Sequence, residues 1–438
     1  MAIASALAIG AVTGCGSTNA NSGSNPEPTV AENNSSVVST SESVGDSAEA
    51  TSLDASNEAS LEDAGDASSE EVAAKTSSAP EGVTVKGITE RNDEMRNISP
   101  MELVAEMKAG WNLGNTFDAT GSDGLSAETS WGNPKTTKEM IDAVCEKGFD
   151  SIRIPITWDK HMGEAPDYTI DSAWLDRVEE VVNFALDDGM YVIINSHHEE
   201  EWRIPDNAHI DDVDAQHRAL WTQVAERFKD YGDHLVFEGL NEPRVKGGEK
   251  EWEGGTEEGR ACVNRLNQSF VDVVRATGGN NEKRLLLVTS FASSCIKEAI
   301  DGVEIPSDDH IGVSIHAYTP YAFTYHPGES WELFIWDGTH NNEIAQVMND
   351  LQKTFLDKNV PVLLTEYGAM NKDENTVAVE KWVTAYILRA RLKGIPCFWW
   401  DNGIYNQQGE KFAIFDRKNL KWYREEVVDA LIKESYAE

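Results

Sequence analysis

"LVFEGLNEPR" (residues 235–244) reads as a short apolar strand that runs without a break into Asn241, Glu242 and a proline. Leu, Val and Phe suit a buried strand, and Pro243 cannot extend one because it lacks a backbone donor. Two explanations compete for the polar end: a turn that starts after a strand, or a carboxylate carried to the mouth of a sheet. The segment alone does not separate them.

Its surroundings repeat the pattern. Apolar runs of strand length start at Gly110, Asp150, Met190, Leu235, Arg284, His310, Pro361 and Ile395. Segments of helical period lie between them, near 136–147, 172–188, 213–230, 257–276, 341–357 and 376–393, with a last one near 424–435. The segment after the fifth run, 294–301, is shorter. Thr136 with Glu139 predicts a capping box for the first helix. Alternation of this kind signals a parallel sheet built from βα units. Eight units in residues 95–438 predict a (β/α)8 TIM barrel with enlarged loops, since that fold needs about 250 residues. A doubly wound sheet is the alternative, but "NLGNTF" after the first strand is a poor phosphate-binding turn.

In such a barrel the active site forms where the strands end. Taken in order, the ends are Asn115, Arg153, His197 with His198, Asn241 with Glu242, His316 with Tyr318, Glu366 with Tyr367, and Trp399, Trp400 and Asp401. These groups are expected to converge on one mouth. Two carboxylates flanking a pocket, Glu242 and Glu366, suit glycoside hydrolysis, which needs one protonated and one ionised carboxyl. Glu238 shares a strand face with Glu242 one layer deeper and is expected to be a paired structural charge. The run His197, His198, Glu199 suits metal chelation poorly, because neighbouring side chains on a strand point to opposite faces; no metal and no cofactor is expected. Several of the 13 tryptophans fall in strand-to-helix segments, namely Trp131, Trp158, Trp202, Trp252, Trp331 and Trp336. A cleft lined by indoles would suit a polysaccharide.

The motifs "GWNLGNTFDA", "IRIPITW", "IINSHHE", "LNEPR", "IHAYTP", "LTEYG" and "FWWDNG" occur in this order from Gly110 to Gly403. Together they resemble glycoside hydrolase family five, the cellulase-type β-glycanases of the Glu-Glu barrel clan. The resemblance implies a retaining endo-β-1,4-glucanase, with Glu242 as general acid/base and Glu366 as nucleophile. Arg153 then matches the arginine beside the nucleophile, Asn241 the amide that binds the sugar 2-hydroxyl, and His316 and Tyr318 a supporting pair. His197 and His198 would face the substrate, and Trp400 would lie under the reacting sugar. Asn115, Trp131, Trp202 and Trp399 are further candidates for lining the cleft. Retention requires the two carboxyl groups about 5–5.5 Å apart. Xyloglucan, mixed-linkage glucan or mannan could replace cellulose on the same site. Other classes are a glycan-binding barrel without activity, which would be expected to lose a carboxylate, and a metal-dependent hydrolase.

Ahead of the barrel the composition changes. No Lys or Arg precedes Lys75 and no aromatic precedes Trp111, so residues 16–94 read as an acidic, Ser-rich, disordered linker. Residues 1–15 form a short apolar run ending in "VTGC", which resembles a bacterial lipobox; lipidation at Cys15 and an extracellular or cell-surface location are expected, although no positive n-region precedes it. A net charge of -39 argues against nucleic acid as a partner. The expected partner is a β-glucan polysaccharide, with membrane contact only through a lipid on Cys15, and the protein is expected to be a monomer. Cys145, Cys262, Cys295 and Cys397 lack metal-ligand spacing and read as buried small hydrophobes.

Overall fold

The computed structural model describes residues 79–325, 335–372 and 375–438. Eight parallel strands close a barrel in chain order: β1 (Ala109–Leu113), β2 (Ser151–Ile154), β3 (Tyr191–Asn195), β4 (Leu235–Glu238), β5 (Leu286–Ser294), β6 (Ile311–His316), β7 (Val362–Tyr367) and β8 (Cys397–Asp401). Between and around them come α1 (Pro100–Glu106), α2 (Lys138–Lys147), α3 (Ser172–Asp187), α4 (Ile210–Arg227), α5 (Glu257–Ala276), α6 (Lys297–Asp301), α7 (Tyr321–Thr324), α8 (Asn341–Thr354), α9 (Thr376–Arg391) and α10 (Glu425–Ser435). A two-stranded ribbon, β9 (Phe415–Asp416) with β10 (Lys421–Trp422), precedes α10. The (β/α)8 expectation holds.

Two-residue alternation sorts the side chains of each strand. Tyr191 and Ile193 of β3 join Val236, Leu287, Leu363 and Phe398 in one apolar cluster. Only the barrel lumen can unite residues from those strands. Their neighbours Val192, Ile194, Phe237, Leu286 and Leu364 belong to the larger core under the helices. The lumen is therefore layered, as the fold requires. Leu103 and Val104 of α1 and the following Met107 complete the lumen cluster, so α1 closes the end of the barrel where the strands begin. Its start is fixed by a capping box: Ser99 Oγ accepts from the Glu102 N–H, and the Glu102 carboxylate accepts from the Ser99 N–H.

Three local expectations are corrected. The box predicted from Thr136 and Glu139 does not form, because α2 starts at Lys138 after Thr137, which makes no side-chain cap bond. Thr136 is used instead in a buried tie, its N–H donating to Glu128 at 2.7 Å and its carbonyl accepting from Arg177 at 2.7 Å. The third helix starts at Ile210 rather than near 213. The linker cannot extend to 94, since Val83 and Val85 pack on the core, Lys86 Nζ donates to the Gly189 carbonyl at 3.0 Å, and the Thr89 N–H donates to that of Asp188 at 3.0 Å. Residues 1–78, including Cys15, and Trp331 lie outside the described residues.

Candidate active site

Arg153 occupies the lumen one layer above the apolar plug and is fully buried. Nε donates to Glu238 at 2.6 Å and Nη1 to Glu366 at 2.7 Å and to Asn112 at 3.0 Å, while Nη2 donates to Asn241 at 2.7 Å. Burial opposes its charge, but the carboxylates of Glu238 and Glu366 outweigh that and raise its pKa, so the guanidinium stays cationic. Glu238 is the paired structural charge expected of it; it also accepts from Ser314. One buried cation thus connects four strand ends and fixes Glu366 and the oxygen end of Asn241. With Oδ1 committed to Arg153, the Asn241 amide NH2 is the end left for another partner.

Glu242 and Glu366 face each other across His316. The His316 Nδ1 lies 2.9 Å from Glu242 Oε1 and 3.5 Å from Glu366 Oε2. Its Nε2 is buried with no partner among the described residues, so in the neutral ring the proton belongs on Nδ1, between the two carboxylates. An oxygen of each glutamate and a ring nitrogen of His316 lie within 4.8 Å of one another. Tyr318 Oη donates to Glu366 Oε2 at 3.0 Å. Burial first, then the charges of Glu366 and Glu242, push this phenol far above its ordinary pKa and keep it a donor. For Glu242, burial raises the pKa, but the hydrogen bond from His316 and the charges of His316 and Arg244 pull it below the usual range.

His197 and Trp400 form the floor beside this pair. Their rings stack in parallel, 5.8 Å apart at 2°. Burial, the His198 charge and Arg153 hold His197 neutral. His198 is part-exposed; burial opposes its proton, but Glu200, Asp118 and Glu242 raise its pKa. The turn that carries both histidines is held from below: buried Arg203 donates to the Ser196 and His197 carbonyls at 3.1 and 2.7 Å, and Glu199 accepts from the Trp158 N–H at 2.7 Å. Trp131 is exposed and tilts over His198 at 5.7 Å. Asn115 lies at the same mouth with φ 53°, its N–H donating to Asp118.

Two candidates sit differently. Trp399 faces the helices, fully buried against Tyr367 and Trp382, with its N–H donating to the Phe412 carbonyl at 2.9 Å, so no face is left for a sugar. Trp202 is half-buried beside Ile210 and Leu240, and its N–H donates to Glu199 at 2.8 Å. Trp158 and Trp336 are core residues. Among the described residues, Asp118, His197 and His198 also gather donor atoms within 4.8 Å. Both Asp118 oxygens already accept backbone N–H groups, from Asn115 at 3.0 Å and Thr116 at 2.7 Å, so this carboxylate is satisfied by protein alone. The four scattered cysteines are free thiols; Cys145, Cys262 and Cys397 are buried and Cys295 is half-buried.

Two features were not singled out from the sequence. Arg244 reaches back from the loop after β4, with Nη1 3.0 Å from the Glu242 carbonyl and 3.4 Å from Glu242 Oε2. At the end of β5 the register shifts between Thr289 and Ser294, with Ala292 and Ser293 at φ 55° and 48°. The kink brings Ser293 Oγ onto the Asn241 carbonyl and the Ala292 N–H onto that of Pro243 at 2.9 Å. Such bulges commonly aim residues at functional sites.

The sequence profile of the cellulase family, glycosyl hydrolase family 5, matches residues 114–406. Endoglucanase A of Ruminococcus albus is 64% identical over 344 residues, which span 78% of this chain and 94% of that protein. Among solved structures, a family 5 xyloglucan-specific endo-β-1,4-glucanase from a metagenomic library, in complex with cellotriose, is 45% identical with a TM-score of 0.74, over 76% of this chain and 97% of its own. A broad-specificity endoglucanase of Ruminococcus champanellensis with bound cellotriose is 40% identical with a TM-score of 0.75, over 77% and 99%. The chain belongs to glycosyl hydrolase family 5.

Proposed function

We propose that this glycoside hydrolase is a retaining endo-β-1,4-glucanase with Glu366 as nucleophile and Glu242 as acid/base. The observation that carries the reading is the closeness of the pair, an oxygen of each within 4.8 Å, which suits the short carboxyl spacing of retaining enzymes rather than the wider spacing of inverting ones. Glu366 attacks the anomeric carbon while Glu242 gives its proton to the departing oxygen. A glycosyl ester forms on Glu366. Glu242, now ionised, takes a proton from water, whose oxygen attacks the same carbon, breaks its bond to Glu366, frees that carboxylate and restores the original configuration. Arg153 and Tyr318 hold Glu366 in line, and the free Asn241 amide supplies a donor for the sugar 2-hydroxyl. Trp400 and His197 supply a flat floor under the reacting ring.

Cellotriose in the related structures supports a β-1,4-glucan substrate. Xyloglucan is the second reading, favoured by the xyloglucan-specific relative. The apolar leader ending at Cys15 supports export, with a lipid on that residue as the anchor.

Reducing-sugar release from carboxymethylcellulose, xyloglucan, barley glucan and mannan tests the assignment. Glu242→Gln and Glu366→Gln should each lower kcat by about 10²–10⁴-fold or more on every substrate the wild type cleaves, the range associated with acid–base groups. Wild-type rates in either variant would refute its role.

A further inference from the structure

Glu200 has no part in the double displacement, yet it stands among the charges that surround the acid. It belongs to the turn after β3, and its side chain is only 17% exposed. Its Oε1 lies 3.4 Å from His198 Nδ1 and 3.4 Å from Arg244 Nη1. That same Arg244 nitrogen lies 3.0 Å from the Glu242 carbonyl and 3.4 Å from Glu242 Oε2. It carries two hydrogens and meets three acceptors, so the carboxylates of Glu200 and Glu242 compete for one of them. Arg244 cannot swing away from both. Its Nε donates to Glu251 at 3.1 Å, the other Glu251 oxygen accepts from the Gly247 N–H at 2.8 Å, and the guanidinium lies over the Trp252 ring at 4.6 Å. Burial opposes the charge of Glu200, but the bond from His198 and the charges of His198 and Arg244 hold its pKa far below the ordinary range, so it stays ionised at mildly acidic and neutral pH.

We propose that Glu200 is a positioning residue for the general acid: it draws the Arg244 cation away from Glu242 and so keeps that carboxyl protonated for the leaving oxygen. The inference rests on Glu242 being the acid. Arg244 held against Glu242 alone would favour the carboxylate and strip the acid of its proton. A second carboxylate on the same nitrogen divides the cation, and its own negative charge also opposes ionisation of Glu242. His198 works the other way, since Glu200 supports its proton and that charge faces Glu242. Arg244 touches the Glu242 carboxyl whereas His198 acts on it through its charge alone, so the Arg244 effect prevails. Among the described residues the other titratable groups facing Glu242 are His316 and Glu366 at their strand ends, Tyr318 and Tyr325 after β6, and Glu410 after β8. Replacing Glu200 leaves all of these in place.

The test is the pH dependence of kcat/KM on cellopentaose, whose alkaline limb reports the acid of the free enzyme. Glu200→Gln keeps the shape of the side chain and loses its charge, so the Glu242 pKa falls and the limb should move about 0.5–1 pH unit to lower pH. Glu200→Asp, which keeps the charge, should bring the limb most of the way back. The midpoint of a limb does not depend on how much of a variant is folded, so a loss of folded protein cannot mimic the shift. In an Arg244→Gln background, where there is no cation left to share, Glu200→Gln should move the limb by less than half as much. A limb that stayed in place or rose in Glu200→Gln, or an equal shift in the two backgrounds, would overturn the sharing of Arg244 while leaving the glucanase reading intact. If Glu242→Gln kept wild-type rates, the acid assignment would fail and this inference with it.

Discussion

Arg153 shows how much one residue organises. It is buried without exposure, yet its charge is matched by Glu238 below and Glu366 above, so the ion that would be costly alone becomes the frame of the pocket. Glu242 is set by weaker neighbours. His316 and Arg244 pull its pKa down against burial, so in the proposed role of acid its protonated form is lost as pH rises from the acid side. Replacing Arg244 by Gln removes one of the charges that favour the carboxylate. The Glu242 pKa then rises, and the alkaline limb of a kcat/KM profile on cellopentaose should move to higher pH; a move to lower pH would contradict the role of Arg244. These ties extend beyond what sequence can display. Glu242 and Glu366 were legible because each ends an apolar strand. Arg244 and Glu200 were not, since each read alone is an ordinary surface charge. Trp399 and Trp400 show the limit of alternation: it states that they face opposite ways, but with Phe398 also aromatic nothing in "FWW" says which parity enters the lumen.

At the scale of elements, strand ends and their close contacts place these groups. A Cβ added to Gly114, just past β1, would come within 2.8 Å of the Trp400 ring and 2.9 Å of the Asp401 carbonyl. One of these neighbours is backbone, so the strain cannot be relieved by a side-chain rotation alone. Gly114→Ala should destabilise the fold by about 1–3 kcal/mol, read by urea denaturation, and should raise KM by displacing the Trp400 floor. Unchanged stability and KM would show the contact to be slack. The eight strands were legible from apolar runs of the right length, and seven helices from their period. α1 was missed although "SPME" at 99–102 carries a complete Ser-x-x-Glu capping signature. Seven residues are too few to show a period, and the need for a plug appears only once the barrel is closed. The kink at the end of β5 left no readable signal, since "FASS" contains neither the glycine nor the asparagine that usually accompanies positive φ.

For the whole molecule, the change in composition near residue 80 located the catalytic barrel but set its edge too late. Acidic and small residues dominate only to about residue 80, and Val83, Val85 and Arg91 beyond it already pack on or pair with the barrel. Removing residues 1–78 should leave kcat/KM and Tm unchanged. Removing residues 1–94 should cost about 2 kcal/mol or more from the two valines and their polar ties, seen as a lower Tm. Equal melting of the two truncations would place the domain edge back at 94. The central claim is a covalent double displacement within a barrel that holds Glu242 and Glu366 close together. Proton NMR of cellopentaose hydrolysis, recorded before mutarotation, tests it most directly: retention yields the β-anomer as the first new reducing end, and initial appearance of the α-anomer would contradict the ester on Glu366.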